Sequence, residues 1–186
     1  MPVIKTDFPD LLIIDPVVFG DDRGYFFEAY NEKTFSEENI HIKFIQDNQA
    51  RSVFGVVRGL HFQENPHAQT KLIRVLQGAI FDVVVDLRKN SPLYGKVFTL
   101  ELSAHNKKQL LVPKGFAHGY SVISETAEVF YKCDEFYHKE SEGSVLFNDS
   151  HLNIDWRVPK DKMILSAKDL TSPTFKSGNY NFLVEK

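Results

Sequence analysis

Side chains able to move a proton or hold an anion are concentrated in a few short stretches of the 186-residue chain. The densest stretch, residues 57–63, contains a guanidinium, an imidazole and an amide in Arg58, His61 and Gln63. Imidazole titrates near neutral pH, so His61 is the natural candidate for a general base. A lone strand histidine is more often exposed or simply hydrogen-bonded, and the residue types by themselves leave both interpretations open.

Three further residues have chemistry that would complement a base. Lys71 could stabilise negative charge that develops on an oxygen, Asp82 could accept a ring proton from an imidazole, and Tyr131 could act as an acid. Each also has an ordinary structural explanation, as a solvated lysine, an exposed carboxylate or a packed aromatic ring. Together they permit proton transfer at a carbon beside a ketone, where loss of the proton leaves an enolate.

Asp169 has a specific competing explanation. The segment from Ser166 to Asp169 reads Ser-Ala-Lys-Asp, which fits the Ser-x-x-acid capping box at the start of a helix. On this pattern alone, Asp169 is predicted to be a helix cap more readily than a catalytic group.

A metal centre is not favoured by the histidine pattern. Small β-barrels that bind a metal often use a His-x-His pair, a carboxylate and a later histidine. Here His61 is followed two places on by Gln63, and His118 stands alone in a Pro-x-Gly-x-x-His turn. One histidine per motif leaves too few ligands for a strong site, so we expect no metal and no other cofactor.

The elements that must position these residues are predicted to be short strands. Strand-like runs separated by Gly, Pro, Asn and Ser recur along the chain, which is typical of an all-β sandwich or barrel. Two weaker helix signals follow possible N-caps at Asn31 and Ser166. The strands are expected at residues 11–19, 24–30, 43–50, 53–62, 71–76, 79–87, 97–102, 109–112, 119–122 and 127–134.

Alternation along these strands places charged groups among aliphatic ones. Asp82 shares a face with Val84, and Lys71 shares a face with Ile73 and Val75. On a one-sided sheet such groups would face solvent, whereas in a small barrel with a ligand cavity they would point inward. Periodicity alone favours neither arrangement.

Composition and charge exclude several classes of protein. The formal net charge is −3, which provides no electrostatic basis for binding nucleic acid or an anionic membrane. Hydrophobic residues make up 42% of the chain, enough for a folded core. No apolar run approaches the ~20 residues of a membrane span, and the N-terminal residues do not resemble a signal peptide. The sole cysteine, Cys133, is expected to be a small packed residue in a cytoplasmic protein.

The motifs, taken in order, resemble a known family. Residues 113–119 and 58–61 together resemble the cupin superfamily, and the whole set is similar to the dTDP-4-dehydrorhamnose 3,5-epimerase family from about residue 11 to residue 169. The ordered set is far more specific than any one motif. The motifs are Asp-Arg-Gly-Tyr-Phe-Phe-Glu at 22–28, Gln-Asp-Asn at 46–48, Arg-Gly-Leu-His-Phe-Gln at 58–63, Lys-Leu-Ile-Arg-Val at 71–75, Asp-Val-Val-Val-Asp-Leu-Arg at 82–88, Ser-Pro-Leu-Tyr-Gly at 91–95 and Tyr-Lys-Cys at 131–133.

The resemblance implies an all-β fold, a cupin (jelly-roll-like) barrel with short peripheral helices. Residues 1–186 would form one domain with a C-terminal extension from about residue 151, and two copies would form a homodimer. The implied reaction removes protons at C3 and C5 of dTDP-4-keto-6-deoxyglucose without a metal and yields dTDP-4-keto-L-rhamnose. A relative that inverts only C3 or C5 of another dTDP-4-keto sugar would use the same residues and stays open. So do a metal-dependent cupin enzyme and a non-catalytic module that binds sugar nucleotides.

The resemblance also implies a role for each candidate residue. His61 would be the base, Asp169 its orienting partner, and Tyr131 the acid on the opposite face of the sugar. Lys71 would lie near the C4 oxygen, with Asp82 and His118 in support. Either Phe136 or Tyr137 would stack on the nucleotide base. The residues expected to bind the substrate, some of them donated by the partner subunit, are Arg23, Phe26, Glu28, Gln46, Asn48, Arg58, Gln63, Tyr137 and Lys168.

Overall fold

Antiparallel strands are the main regular element of the computed structural model, which describes residues 2–184. The strands are β1 Val3–Lys5, β2 Leu12–Ile14, β3 Phe19–Asp21, β4 Gly24–Phe26, β5 Gln46–Val53, β6 Val57–Gln63, β7 Lys71–Gln77, β8 Ala79–Asp86, β9 Val97–Ser103, β10 Gln109–Val112, β11 Phe116–Val122, β12 Thr126–Cys133 and β13 Glu142–Ser144. One sheet has the order β1-β2-β10-β7-β12-β5 and the other the order β13-β6-β11-β8-β9, while β3 and β4 pair as a separate hairpin. The predicted all-β class is confirmed.

The helices are short and begin at the two predicted caps. Helix α1 spans Glu32–Glu37, and the Asn31 side chain accepts hydrogen bonds from the backbone N–H groups of Lys33 and Thr34. Helix α2 spans Ala167–Leu170, with Ser166 as its N-cap. Short 3-10 segments lie at Lys139–Ser141, Lys160–Lys162 and Phe175–Ser177. Within residues 2–184, no helix has both the length and the apolar character that crossing a bilayer requires.

Several predicted strands differ from the observed ones in their bounds, and two of these differences have a clear physical cause. The run at residues 11–19 contains β2 over Leu12–Ile14 and only the first residue of β3, Phe19, because Pro16 has no N–H to donate to a ladder. The run at residues 53–62 contains a turn between β5 and β6. Gly55 occupies that turn with φ +85°, and a Cβ there would lie 2.2 Å from the Lys162 carbonyl oxygen, so the backbone needs glycine.

Both faces of β8 are buried, and this explains its unbroken apolar run. Val83 and Val85 pack against Trp156 and other residues of the chain after 151. Val84 faces the other way, into a core that it shares with residues of the six-stranded sheet. Asp82 alternates in step with Val84 and is 0% exposed. The charged groups among the aliphatic ones therefore point inward, between the two sheets.

Candidate functional site

A cavity of about 410 Å³ opens between the two sheets and is lined by residues of both. Its polar lining includes six of the candidate residues named from the sequence: Arg58, His61, Lys71, His118, Tyr131 and Asp169. Sequence reasoning missed the other side of the lining, which includes Tyr120, Ile164 and Leu165. Ile164 and Leu165 lie in an irregular segment with no periodic pattern, so the sequence carries no signal for them.

His61 and Asp169 form a close pair at the wall made by β6 and α2. His61 Nε2 lies 2.6 Å from Asp169 Oδ1, although 108 positions separate them in sequence. The other oxygen of Asp169 accepts a hydrogen bond from the Ser166 hydroxyl at 2.7 Å. The Asp169 N–H in turn donates to Ser166 Oγ at 3.2 Å. Asp169 therefore takes part in the helix cap and contacts the imidazole at the same time.

The electrostatics of Asp169 favour the carboxylate form. Burial raises the pKa of Asp169, but hydrogen bonds from His61 and Ser166 outweigh that effect, so the pKa lies below its ordinary value. The Asp169 side chain is 4% exposed and the His61 side chain 32%. The imidazole is thus held on one side by an ionised acceptor and stays accessible from the cavity.

A second imidazole–carboxylate pair lies next to the first, with its histidine on the strand beside that of His61. His118 is the β11 residue directly opposite His61 of β6. Its Nε2 lies 2.9 Å and 3.1 Å from the two carboxylate oxygens of Asp82. Asp82 does contact an imidazole, as its type suggested, but that imidazole belongs to His118.

Lys71 and Tyr131 occupy the opposite wall, on β7 and β12 of the six-stranded sheet. Lys71 Nζ lies 5.8 Å from the centre of the Tyr131 ring. Burial raises the pKa of Tyr131 to about 12, so the phenol keeps its proton at neutral pH. Burial lowers the pKa of Lys71, and the acidic groups of Cys133, Asp82 and Glu142 oppose that change. An imidazole and a phenol therefore face one cavity from two sheets, with an ammonium beside the phenol.

Four of the expected substrate-binding residues lie on strands that border the cavity. Arg58 lines it and donates from Nε to Ser52 Oγ at 3.2 Å. Asn48 lies opposite Tyr131 in the register of β5 and β12, and Gln46 donates to its side-chain oxygen at 3.2 Å. Gln63 is buried and accepts a hydrogen bond from the His138 N–H at 2.7 Å.

Tyr137 and Lys168 meet at Glu142, a residue that sequence reasoning did not single out. The Tyr137 hydroxyl donates to Glu142 Oε2 at 3.1 Å, and Lys168 Nζ pairs with Glu142 Oε1. Glu142 lies opposite Gln63 in the register of β13 and β6, two residues from the position opposite His61. Only the pairing of β13 with β6 brings this carboxylate towards the base. Phe136 and Tyr137 are 61% and 53% exposed.

Three expected substrate-binding residues lie elsewhere in this single chain. Arg23 and Phe26 belong to the hairpin of β3 and β4, which lines a separate cavity of about 370 Å³. Arg23 pairs with Asp21 at 2.5 Å, and Glu28 accepts a hydrogen bond from Asn31. The expectation that a partner subunit donates some of these residues stays a prediction.

Residues 2–184 contain no group of three or more His, Cys, Asp or Glu side chains placed to hold a metal ion. The groups at the cavity that come closest to such a cluster are two separate pairs, each with one imidazole and one carboxylate.

The chain is similar to known proteins over almost its whole length. A family model described as dTDP-4-dehydrorhamnose 3,5-epimerase matches residues 5–177. The chain belongs to the dTDP-4-dehydrorhamnose 3,5-epimerase family. A curated family member from Shigella flexneri is 48% identical over 181 residues, covering 97% of this chain and 99% of its own.

Solved structures of family members have the same fold. The dTDP-4-dehydrorhamnose 3,5-epimerase of Elizabethkingia anophelis NUHP1 superposes with a TM-score of 0.92 at 56% identity, covering 97% of this chain and 99% of that one. The dTDP-6-deoxy-D-glucose-3,5-epimerase of Legionella pneumophila, solved in complex with dTDP-4-keto-L-rhamnose, gives a TM-score of 0.91 at 42% identity, covering 96% and 94%. The predicted cupin-like fold is confirmed.

Proposed function

We propose that this protein is an epimerase that inverts C3 and C5 of dTDP-4-keto-6-deoxyglucose and produces dTDP-4-keto-L-rhamnose. The observation that carries the proposal is the placement of His61 and Tyr131 on opposite walls of one cavity. Inversion of a carbon needs a base on one side of the sugar and an acid on the other. The relatives described above are named as 3,5-epimerases, which supports inversion of two carbons over one.

His61 is proposed as the base that removes each proton. Asp169 accepts a hydrogen bond from one ring nitrogen, which orients the ring and favours the charged imidazolium that forms. Within residues 2–184 the other ring nitrogen, Nδ1, makes no hydrogen bond, and it is proposed to take the proton from carbon. General base catalysis by a positioned side chain is worth roughly 10²–10⁴-fold in rate.

Lys71 is proposed to stabilise the enolate oxygen at C4. A C–H beside a ketone becomes acidic enough to lose its proton only if the charge that moves to the oxygen is stabilised. The Lys71 ammonium lines a partly apolar cavity and is proposed to supply that charge with little solvent reorganisation. Loss of one such group costs ~3–4 kcal/mol of barrier.

Tyr131 is proposed as the acid that returns a proton from the other face. Its raised pKa, about 12, keeps the phenol protonated at neutral pH and makes the phenolate a strong base that recovers its proton. His118 and Asp82 are proposed to support this arrangement from the wall beside His61.

Arg58, Gln46, Asn48, Gln63 and Lys168 are proposed to bind the nucleotide and its diphosphate. Within residues 2–184, no acidic side chain forms a salt bridge with Arg58, so its charge stays available to an anion. The exposed ring of Tyr137 is proposed to stack on the nucleotide base, with Phe136 as the other candidate.

We further propose a cytoplasmic homodimer in which each chain is one domain with an extension from about residue 151. The hairpin of β3 and β4 exposes Phe19, Tyr25 and Phe26 by 63%, 61% and 71%, which is an unusual cost for a single chain in water. In the dimer, the partner hairpin would bring Arg23, Phe26 and Glu28 to the substrate. No metal or other cofactor is proposed.

The decisive experiment is turnover of dTDP-4-keto-6-deoxyglucose in deuterated water, followed by NMR. Deuterium is expected at both C3 and C5, and exhaustive chelation is expected to leave the rate unchanged. Label at one carbon only would identify a single-carbon epimerase. Binding without any exchange would identify a non-catalytic module, and inactivation reversed by added metal would identify a metal-dependent enzyme.

A further inference from the structure

The guanidinium of Arg58, at the edge of the cavity, has an uncharged hydrogen-bond partner. Arg58, on β6 of the five-stranded sheet, donates from Nε to the hydroxyl of Ser52, on β5 of the six-stranded sheet. Ser52 is 6% exposed, and its hydroxyl accepts this hydrogen bond at 3.2 Å. The bond therefore crosses from one sheet to the other beside the cavity.

We propose that Ser52 is a positioning residue that aims the Arg58 guanidinium at the diphosphate of the substrate, an inference that rests on the proposed function. A guanidinium has five N–H donors in a rigid plane. When Nε–H is held by Ser52, the plane is oriented and both terminal nitrogens stay free for two parallel hydrogen bonds to phosphate oxygens.

The chemistry of Ser52 suits this task better than that of an acid. A carboxylate at the same position would orient the guanidinium but also neutralise the charge that a diphosphate needs. A hydroxyl accepts the Nε–H and leaves the charge intact. Serine is also small enough to be buried between two sheets at the end of the inward-facing row of β5, after Gln46, Asn48 and Ala50.

Tyr120 closes the remaining side of this contact. It lies directly opposite Arg58 in the register of β11 and β6, is 5% exposed and lines the cavity. Burial raises the pKa of Tyr120, and the Arg58 charge and a hydrogen bond with Ser52 both act against that rise, so all three groups are close together. Arg58 is itself exposed in this chain, and its contact with Ser52 and its place beside Tyr120 favour one orientation of the guanidinium.

The test is the Ser52→Ala variant, assayed for epimerisation and for binding of dTDP by calorimetry. The KM for the dTDP-sugar and the dissociation constant of dTDP are both expected to rise roughly three- to tenfold, the range for one lost hydrogen bond of this kind. The kcat is expected to stay within about twofold, because Ser52 is not among the residues that line the cavity.

Three matched variants make the result specific. Ser52→Thr keeps a hydroxyl, so its KM is expected to be close to that of the wild type. Ser103→Ala removes an equally buried hydroxyl, which accepts a hydrogen bond from the Asn106 N–H. This control variant is expected to leave KM unchanged. In an Arg58→Ala background, Ser52→Ala is expected to have no further effect on KM or on dTDP binding. If Ser52→Ala unfolds at the assay temperature, Ser52→Cys takes its place, since its thiol is a much weaker acceptor.

The outcomes separate this inference from the proposed function. Unchanged KM and dTDP binding in Ser52→Ala, or equal losses with and without Arg58, would overturn the positioning role while the wild-type protein still epimerises. Absence of exchange and of dTDP binding in the wild-type protein would overturn the proposed function itself.

Discussion

Two imidazole–carboxylate pairs lie side by side, with their histidines on neighbouring strands of one sheet, and they differ in exposure. In the pair of His61 and Asp169, the imidazole side chain is 32% exposed and the carboxylate 4%. In the pair of His118 and Asp82, the corresponding values are 10% and 0%. Both imidazoles line the cavity, but that of His61 is the more exposed, whereas the Asp82 carboxylate of the second pair has no exposed surface.

The pairs also differ in how they are assembled. His118 and Asp82 lie on neighbouring strands, where His118 is opposite Val84 and Asp82 is its diagonal neighbour on the same face. Asp169 comes from α2, outside both sheets, and meets His61 only after the chain beyond residue 151 has packed. The comparison therefore distinguishes a pair suited to proton transfer from a buried pair suited to stabilising the fold. Four measurements test this distinction.

The largest expected effect is on the rate when the accessible base is removed. His61→Ala should reduce the rate of deuterium exchange at C3 and at C5 by roughly 10²–10⁴-fold, because both steps use one base. NMR of the substrate in deuterated water measures both positions. The control is His41→Ala, which removes an exposed imidazole away from the cavity lining. Exchange at the wild-type rate in His61→Ala would show that the base is another group.

The next largest effect is a loss of stability when the pair of His118 and Asp82 is broken. His118→Ala leaves the Asp82 carboxylate buried without its partner, which should cost about 3–5 kcal/mol in the free energy of unfolding. His61→Ala should lower the free energy of unfolding by less, because water can reach the position of its side chain. Urea unfolding at neutral pH measures the stability of both variants. Adding Asp82→Asn to His118→Ala should recover part of the loss, and equal costs for the two histidines would remove the distinction.

A smaller effect on the rate is expected from the partner of the base. Asp169→Asn should lower kcat by roughly 10–100-fold, the usual cost of losing a group that orients a functional histidine. The control is Ser166→Ala, which weakens the cap of α2 and costs ~1 kcal/mol of stability but leaves the carboxylate in place. A larger loss of kcat in Ser166→Ala than in Asp169→Asn would mean that Asp169 acts only through the helix.

The smallest effect is a pH dependence of stability. Since the pKa of Asp169 is lowered from its ordinary value of 3.8, the carboxylate stabilises the folded state above that value. The stabilisation is lost as the pH falls through the lower, folded-state pKa. The stability difference between wild type and Asp169→Asn should therefore be largest near neutral pH and shrink below about pH 4.

Urea titrations at several pH values measure this difference. In a His61→Ala background the pH-dependent part should be smaller, because one of the two side-chain donors to Asp169 is gone. A difference that is constant from neutral to acidic pH would show that the carboxylate charge does not contribute.

Local patterns in the sequence were sufficient for much of this protein. The caps of both helices could be predicted because a side-chain oxygen and a backbone N–H two or three residues away meet without help from the rest of the chain. The row that contains Lys71 and Ile73 could be assigned to one face because alternation along a strand is local. The β5–β6 turn was missed because the positive φ of Gly55 and its close approach to the Lys162 carbonyl, far along the chain, appear only in the folded structure.

By itself the sequence determined the all-β class, the helix starts and the family, because strand periodicity, capping and an ordered set of motifs are carried by neighbouring residues. Only the tertiary structure decided that charged strand residues point inward, that Asp82 serves His118 and Asp169 serves His61, and that Ser52 holds Arg58. Those contacts join residues of different sheets or distant segments. Their geometry depends on how hydrophobic burial packs the two sheets and the C-terminal segment together, which no local pattern specifies.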